Sequence, residues 1–180
     1  MASIITATVS SGLTQQADNS GVLQLASGTG NLVTVPSVTG TAMVSGNMPA
    51  FSAYPSVAQT LSSSTITKIL FGTEEFDTNN NFANSTFTPT VAGYYQVQGH
   101  IQPDASYSAG VVAIYKNGSL YKYGSYNANA TGVAPPSMSC LVYCNGTTDY
   151  IEFYASVQTG QSLSASSTFT WFQGCMVRGA

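Results

Sequence analysis

From Met48 to the C-terminus, the sequence repeats one pattern, in which short segments rich in β-branched and aromatic residues are separated by Gly, Asn and Pro. The segments recur at intervals of about ten residues, which is the spacing of strands in a β-sandwich. No window of adequate length shows the apolar period of about 3.6 residues that marks a helix, so the sequence predicts an all-β fold. We predict strands at residues 49–57, 66–72, 85–90, 92–101, 109–116, 119–124, 135–144, 149–157 and 167–178.

Two Asn-Gly dipeptides, Asn117-Gly118 and Asn145-Gly146, mark tight turns, because both residue types tolerate positive φ. The first dipeptide predicts a hairpin between neighbouring strands. The alternation in residues 95–98, Tyr-Gln-Val-Gln, gives that strand two faces, one for the core and one free for a neighbour. The sequence does not assign which face is which.

Residues 1–48 differ from the remainder, because no aromatic residue precedes Phe51 and small residues dominate. Within this stretch, residues 22–25 and 31–35 are short β-type segments. A two-stranded ribbon is marginally stable alone in water, so such strands need another chain or surface to pair with. We therefore predict an extended N-terminal β arm at 1–48, which serves attachment and trimerisation, and a separate head at 49–180.

Charge limits the possible partners of this chain. Only 6% of the residues are Asp, Glu, Lys or Arg, against roughly 25% in an average globular protein. Nucleic-acid binding needs clustered Lys and Arg to neutralise phosphates, so we expect no nucleic-acid partner. No stretch approaches the roughly eighteen apolar residues of a membrane span, so we expect no membrane insertion. The start, Met1–Thr6, lacks the features of a secretory signal peptide, and we expect synthesis in a host cytoplasm.

The three cysteines, Cys140, Cys144 and Cys175, are an odd number without metal-site spacing. Cys140 and Cys144 fall on one predicted strand, where the extended backbone separates the two Cα atoms too far for a disulfide. We expect buried, reduced thiols.

Residues 76–97 carry a resemblance to a known family. Phe87, Gly93, Tyr95 and Val97 match the aromatic and glycine positions that the C1q/TNF-like jelly-roll family shows in its signature. The similarity covers about residues 49–180. It departs from the family pattern in a shorter spacing from Phe82 to Phe87 and in Val97 and Gly99, which replace the strand aromatics that follow Tyr95 in the family. The whole chain resembles C1q-like heads of bacteriophage fibre and appendage proteins. This resemblance implies a jelly-roll sandwich and a homotrimer.

The segment 121–127 is the best binding candidate, and its candidate residues are Tyr121, Tyr123, Tyr126 and Asn127. Aromatic faces and amide groups on a loop suit sugar recognition. Tyrosines also serve ordinary packing in a core or a trimer, with the hydroxyl at the wet edge. Both interpretations stay open from the sequence.

Calcium is a weaker candidate ligand. The loop at 77–81 offers hard oxygen ligands, of which Asp77 and Asn79 are the candidates. A single carboxylate with amides is a thin ligand set, and a plain turn is the favoured interpretation. We predict no metal site and no cofactor.

Catalytic residues are scarce. His100 is the only histidine, which excludes His-dependent triads and multi-histidine metal sites. A serine elbow of the form Gly-x-Ser-x-Gly is absent from the sequence. Glu74, Glu75 and Asp77 form the one acidic cluster, and paired carboxylates can serve glycoside hydrolysis. They lead into the run of asparagines at 79–81, which predicts a solvated turn, and we therefore expect a protein that is not an enzyme.

These observations favour a structural virion protein of a bacteriophage, a small fibre or a decoration protein of capsid or tail. The arm at 1–48 is expected to dock on capsid or tail proteins, and the trimeric head is expected to project toward a host surface or glycan. The alternatives are a secreted C1q-like lectin or signalling ligand and, less favoured, a glycan-degrading enzyme. Free cysteines count against the first alternative.

Overall fold

A computed structural model describes residues 23–26, 32–35, 43, 45–107, 109–128 and 135–180. The chain divides into two units, Met1–Thr39 and Gly40–Ala180. Regular structure in the described residues is β, apart from one short 3-10 helix, Ser45–Asn47. The predicted all-β class is thus confirmed. No helix in the described part of the chain is long and apolar enough to span a membrane.

The strands are short and alternate with turns, as the spacing of Gly, Asn and Pro predicts. They are β1 (Leu23–Ala26), β2 (Leu32–Val35), β3 (Ala50–Tyr54), β4 (Gln59–Leu61), β5 (Thr67–Lys68), β6 (Thr73–Asp77), β7 (Phe82–Ala83), β8 (Thr86–Phe87), β9 (Gly93–His100), β10 (Ala109–Lys116), β11 (Ser119–Ala128), β12 (Ser137–Cys144), β13 (Ile151–Val157), β14 (Gln161–Leu163) and β15 (Trp171–Gly179).

The first unit contains an antiparallel ribbon of β1 and β2, in the segments where the sequence predicts strands. Leu23 lies opposite Val35, and Leu25 lies opposite Val33. Because alternate residues of a strand belong to opposite faces, these four apolar positions share one face of the ribbon.

The second unit is a sandwich of two main sheets. A five-stranded sheet has the order β12-β9-β15-β3-β6. The facing sheet has six strands in the order β11-β10-β13-β8-β7, with β5 pairing β13 off this path. All pairings between these strands are antiparallel. Residues before the predicted head start also belong here, since Met43 packs against the core and Asn79 Nδ2 donates to the Gly46 carbonyl at 3.0 Å.

Phenylalanines fill the space between the sheets. Phe172 lies near the centre, with ring centroids 5.0 Å from Phe51 and 5.5 Å from Phe153. Phe51 in turn stacks on Phe87 at 4.3 Å and on Phe82 at 4.9 Å. Aromatic rings offset at such separations add packing energy beyond the area they bury. The core is therefore a connected aromatic cluster that joins both sheets.

The two ends of the sandwich differ. At one end the chain passes from Met43 into β3, and the backbone N–H of Ala180 donates to the Ala92 carbonyl. The opposite end carries the connections that follow β9 and β13, at 101–107 and 158–170. The two connections are hydrogen-bonded to each other, since the Asp104 N–H donates to the Ser162 carbonyl at 2.8 Å.

Several strand predictions need correction. Residues 66–72 do not form one strand, because only Thr67–Lys68 pair with β13 before the chain crosses to the other sheet. The acidic cluster 74–77 lies on edge strand β6 and is not a solvated turn. The predicted strand at 119–124 continues to Ala128. The prediction at 109–116 matches β10.

Candidate interaction surfaces

One candidate surface is the outer face of the five-stranded sheet, which we call the neutral face. Along β9, β12 and β15 the buried and solvent-facing positions alternate. Tyr95 and Val97 belong to the core, which assigns Gln96 and Gln98 to the outside and answers the question left open by the sequence. The neutral face consists of the outward residues Tyr94, Gln96, Gln98, Leu141, Tyr143, Gln173, Cys175 and Val177.

Strand register places the apolar members of the neutral face together. Tyr143 lies opposite Tyr94 on the adjacent strand, and their ring centroids are 5.4 Å apart. Leu141 lies opposite Gln96, which in turn lies opposite Cys175. Between 42% and 52% of Tyr94, Leu141, Tyr143 and Val177 is exposed, which is high for large apolar residues on one sheet face. Contiguous exposed apolar groups of this kind mark interaction sites.

Charge is scarce on the neutral face. The three strands β9, β12 and β15 carry Arg178 as their one charged residue. Gln96 Nε2 donates to the Ser139 hydroxyl, so that amide is held in place on the face. His100, at the end of β9, stacks on Trp171 with centroids 5.9 Å apart and is hydrogen-bonded through Nδ1 to the Phe169 carbonyl. Uncharged surfaces with aromatic and amide groups resemble the centres of protein–protein interfaces.

A second candidate surface is the outer face of the six-stranded sheet, which we call the tyrosine face. It consists of Tyr115, Tyr123, Tyr126 and Tyr154. Tyr115 and Tyr154 stack at 3.9 Å between centroids. Tyr123 and Tyr126 are 60% and 67% exposed. The ion pair between Lys68 Nζ and Glu152 Oε1, at 2.7 Å, lies on that sheet beside the stacked pair, and Lys122 on β11 is a further cation of the sheet.

The four predicted binding residues lie on edge strand β11 and not on a loop, which corrects the sequence prediction. Tyr123 lies opposite Ala113, and Tyr126 opposite Val111. Tyr121 turns toward the other sheet, where its hydroxyl donates to the Leu141 carbonyl at 3.3 Å. The backbone of Asn127 pairs with β10, while its side chain lies outside what the structure describes. The structure thus brings Tyr123 and Tyr126 to one face and separates Tyr121 from them.

The predicted calcium candidates are engaged in closing their own loop. The two carboxylate oxygens of Asp77 accept hydrogen bonds from the backbone N–H groups of Asn79, at 3.3 Å, and Phe82, at 2.7 Å. The Asn79 side-chain oxygen accepts a hydrogen bond from the Thr78 hydroxyl at 2.9 Å. Within the described residues, no three His, Cys, Asp or Glu side chains converge on a common point. The geometry is that of a hydrogen-bonded turn.

The remaining acidic residues also have structural contacts. Glu75 Oε2 accepts a hydrogen bond from the Ser52 hydroxyl at 2.7 Å, which ties edge strand β6 to β3. Both Glu74 and Glu75 are exposed. Charged residues on an edge strand discourage pairing with strands of other molecules.

Asp149 accepts hydrogen bonds from both Asn-Gly turns, at 117–118 and at 145–146. Its carboxylate accepts hydrogen bonds from Asn117 Nδ2 at 2.8 Å and from the Asn145 N–H at 3.0 Å, and it pairs with Lys116 Nζ at 2.9 Å. The hydrogen bond from Asn117, followed by that from Lys116, holds the pKa of the Asp149 carboxyl below its ordinary value. Asn117 has φ of 54° and Gly118 of 72°, as the predicted hairpin turn requires.

The cysteines are free and differ in burial. Cys144 is buried, and desolvation raises its pKa to about 12, so the thiol stays protonated at neutral pH. Burial also raises the pKa of half-buried Cys140. Cys175 is exposed on the neutral face, so the prediction that all three thiols are buried is wrong for this residue. Its side chain points outward because β15 alternates, with Gly174 and Met176 facing the core.

Comparison of the sequence with known proteins gives no assignment. No protein-family model matches the chain, and no curated protein matches it.

Comparison of the structure with solved structures defines the fold. The chain is similar to the globular domain of the zebrafish complement 1qA protein, with a TM-score of 0.57, 16% identity, and coverage of 73% of this chain and 98% of that one. It is similar to murine APRIL, with a TM-score of 0.57, 8% identity and coverage of 72% and 99%. It is also similar to the PRD1 vertex protein P5, with a TM-score of 0.52, 13% identity and coverage of 73% and 96%. The head is thus a jelly roll of the C1q/TNF type, as the resemblance implies.

Sequence reasoning missed the composition of the neutral face. Its members come from three strands that are distant along the chain, at 93–100, 137–144 and 171–179. A local signal was present in the alternation of Tyr94, Gln96 and Gln98 with core residues. Which other strands flank that one depends on sheet order, which local alternation does not encode.

Proposed function

We propose that this protein is a structural component of a bacteriophage particle. The arm docks on capsid or tail proteins through residues 1–39, the part of the predicted segment 1–48 that lies outside the head unit, and three heads associate and project toward the host surface. The observation that carries the proposal is the neutral face, a sheet face that exposes apolar residues and has Arg178 as the one charged residue of its three strands.

Association of heads follows from what the neutral face exposes. Tyr94, Leu141, Tyr143 and Val177 lose contact with water if copies of the face meet, and no charge on these residues has to be desolvated. Arg178 lies opposite Tyr94, at the end of the face that is near the C-terminus. A three-fold arrangement is the one that the C1q/TNF resemblance implies.

Docking of the arm follows from the character of its ribbon. Leu23, Leu25, Val33 and Val35 share one face of a two-stranded ribbon. Such a ribbon needs a partner for its apolar face and for its unpaired strand edges. A particle protein, or the arms of the other two chains, supplies that partner.

The assignment to a virion draws on a likeness among solved structures. The PRD1 vertex protein P5 shares the jelly-roll fold over 73% of this chain. A structural part of a particle is the role that this likeness favours.

Leu141→Glu should convert the trimer to monomer. Each copy would bring a carboxylate into an uncharged interface, where desolvation and like-charge repulsion cost several kcal/mol. Multi-angle light scattering of residues 40–180, which lack the arm and its own contribution to trimerisation, should give three chain masses for the unsubstituted head and one chain mass for the variant. The matched control is Val57→Glu, since Val57 is 72% exposed but lies outside the neutral face. A Leu141→Glu variant that remains trimeric would contradict the interface.

Deleting residues 1–39 should abolish attachment to particles while the head stays folded. The deletion ends before Gly40 and so preserves the packing of Met43 and the hydrogen bond to Gly46. Particles lacking the protein are incubated with full-length or truncated chain, sedimented and assayed by immunoblot. Circular dichroism melting of both proteins controls for folding. A truncated protein that sediments with particles as the full chain does would refute the role of the arm.

A secreted C1q-like ligand is the second candidate, favoured by the likeness to the zebrafish complement 1qA domain. The three free cysteines, one of them exposed, count against it, because exposed thiols are oxidised in the compartments that secreted proteins pass through. Mass spectrometry of purified particles separates the two candidates, since the first requires the chain to be present there.

A further inference from the structure

We propose that the tyrosine face binds neutral carbohydrate, with sugar rings stacked on Tyr123 and Tyr126. This inference rests on the proposed function, in which the head meets a host surface, and it adds the chemical class of the ligand and the residues that hold it. The argument starts from the way in which β11 presents these two side chains.

A β-bulge brings both tyrosines to the same face. Residues three apart on a regular strand face opposite sides, because the side-chain period is two. Here the register shifts between Val111 and Ala113, so that Gly124 and Ser125 together face the single residue Val112. Tyr123 consequently lies beside Ala113 and Tyr126 beside Val111. These β10 positions are two residues apart, so the two tyrosines are spaced about 7 Å along one face.

The bulge is fixed by contacts with the facing sheet. A Cβ atom on Gly124 would lie 2.4 Å from Met138 Cβ and 2.7 Å from Val112 Cγ2, so only glycine fits this position without a shift of its neighbours. The Ser125 hydroxyl donates to the Ser137 carbonyl and accepts from the Ser137 N–H, each at 3.0 Å. The backbone of β11 therefore fixes the face of the sheet on which Tyr123 and Tyr126 lie. Bulges that re-aim side chains in this way are frequent at functional sites.

The residues beside the two rings are uncharged. Val111 and Ala113 separate the tyrosines from β13, where Ser156 and Tyr154 are the next residues across. A depression of about 230 Å³ lies beside Tyr126 and includes Val111 and Ser156 in its lining. This volume is below the roughly 300–1,000 Å³ of drug-sized sites, as expected for a surface that holds one or two sugar units.

The charge of the surface favours an uncharged ligand. Within the described residues, no charged side chain lines the depression beside Tyr126. Lys68 and Glu152, at the far side of the sheet, neutralise each other. Tyr123 and Tyr126 are exposed, and a phenolic hydroxyl can both donate to and accept from sugar hydroxyls. The cation next to Tyr123 in the chain, Lys122, has its Nζ 5.7 Å from the ring centroid of Tyr121, on the side of β11 that faces β12, so it does not lie between Tyr123 and Tyr126.

The tyrosine face also stays accessible in the proposed trimer. It belongs to the six-stranded sheet, whereas the neutral face belongs to the five-stranded sheet on the other side of the sandwich. Association through one face therefore leaves the other open to solvent.

The test uses the full chain on an array of neutral hexose and N-acetylhexosamine oligosaccharides, with sialylated and sulfated glycans as the anionic set. Calorimetric titration then gives affinities for the glycans that bind. We expect binding to neutral glycans that is insensitive to salt, and a loss of about tenfold in affinity for Tyr123→Ala or Tyr126→Ala alone. The double variant should not bind detectably.

Tyr121→Ala is the matched control, because it removes the same side chain from the same strand but on the side facing β12. It should bind as the wild type does. Full affinity in the Tyr123/Tyr126 double variant, binding to anionic glycans only, or no binding to any neutral glycan would each overturn the inference. The proposed function is judged separately, because particle attachment and chain mass are measured on the same variants and should not change.

Discussion

Replacing Phe172 by alanine should lower the free energy of unfolding of the head by about 3–5 kcal/mol. Phe172 is fully buried and lies within 6.2 Å, between ring centroids, of Phe51, Phe71, Phe82 and Phe153. Its removal leaves a cavity bordered by both sheets, and rigid strands collapse poorly into such a space. Urea denaturation followed by tyrosine and tryptophan fluorescence measures the change.

Phe169→Ala is the control for that experiment. Phe169 lies three positions earlier in the chain and is 50% exposed. Its substitution should change the free energy of unfolding by no more than about 0.5 kcal/mol. Equal effects of the two substitutions would show that the aromatic cluster is not the centre of the core.

Gly99→Ala should destabilise the head by about 2–3 kcal/mol, although it adds a single methyl group. A Cβ atom at residue 99 would lie 2.4 Å from Phe153 Cε2, so the two sheets or the ring must move apart. Gly99 lies on β9, an interior strand of the five-stranded sheet, where β12 and β15 on its two sides restrict such a movement. The decrease in urea midpoint at constant m-value measures this effect.

A second substitution identifies the cause of that loss. Phe153→Leu in the Gly99→Ala background should recover at least about 1 kcal/mol relative to the sum of the single variants, because the smaller side chain leaves room for the methyl group. Gly46→Ala is the control, since no atom lies within 4 Å of a Cβ at that position. Additive effects of the pair would mean that contact with Phe153 is not what makes residue 99 a glycine.

The low charge of the chain bears on how the two proposed contacts depend on salt. Only 6% of residues are charged, and the neutral face and the tyrosine face together use uncharged groups for both proposed contacts. Interactions of this kind depend weakly on ionic strength, because there is little for salt to screen. We expect the contacts proposed for these two faces to persist over a wide range of salt concentration.

The candidate site was predictable in part. Tyr121, Tyr123 and Tyr126 could be selected from the sequence because tyrosines cluster there, with Lys122 as the one charged residue of the segment 121–127. Their arrangement could not. Tyr123 and Tyr126 share a face because of the bulge opposite Val112, where Gly124 fits against Met138, and Tyr121 leaves that face where the register shifts again between Ile114 and Tyr115. In the sequence Gly124 looks like the end of a strand, whereas in the structure β11 continues to Ala128 because pairing with β10 resumes after the bulge.

The sequence by itself determined the class of fold. Recurrent short β segments, Asn-Gly turns such as Asn117-Gly118 and the aromatic signature around Phe87 and Gly93 are local patterns, and local patterns set strand content and turn position. Tertiary structure alone decided which residues form surfaces. The neutral face combines three strands, and β6 proved to be an edge strand that carries Glu74 and Glu75. These features arise from sheet order and register, which are fixed by packing between segments far apart in the chain and leave no trace in any single segment.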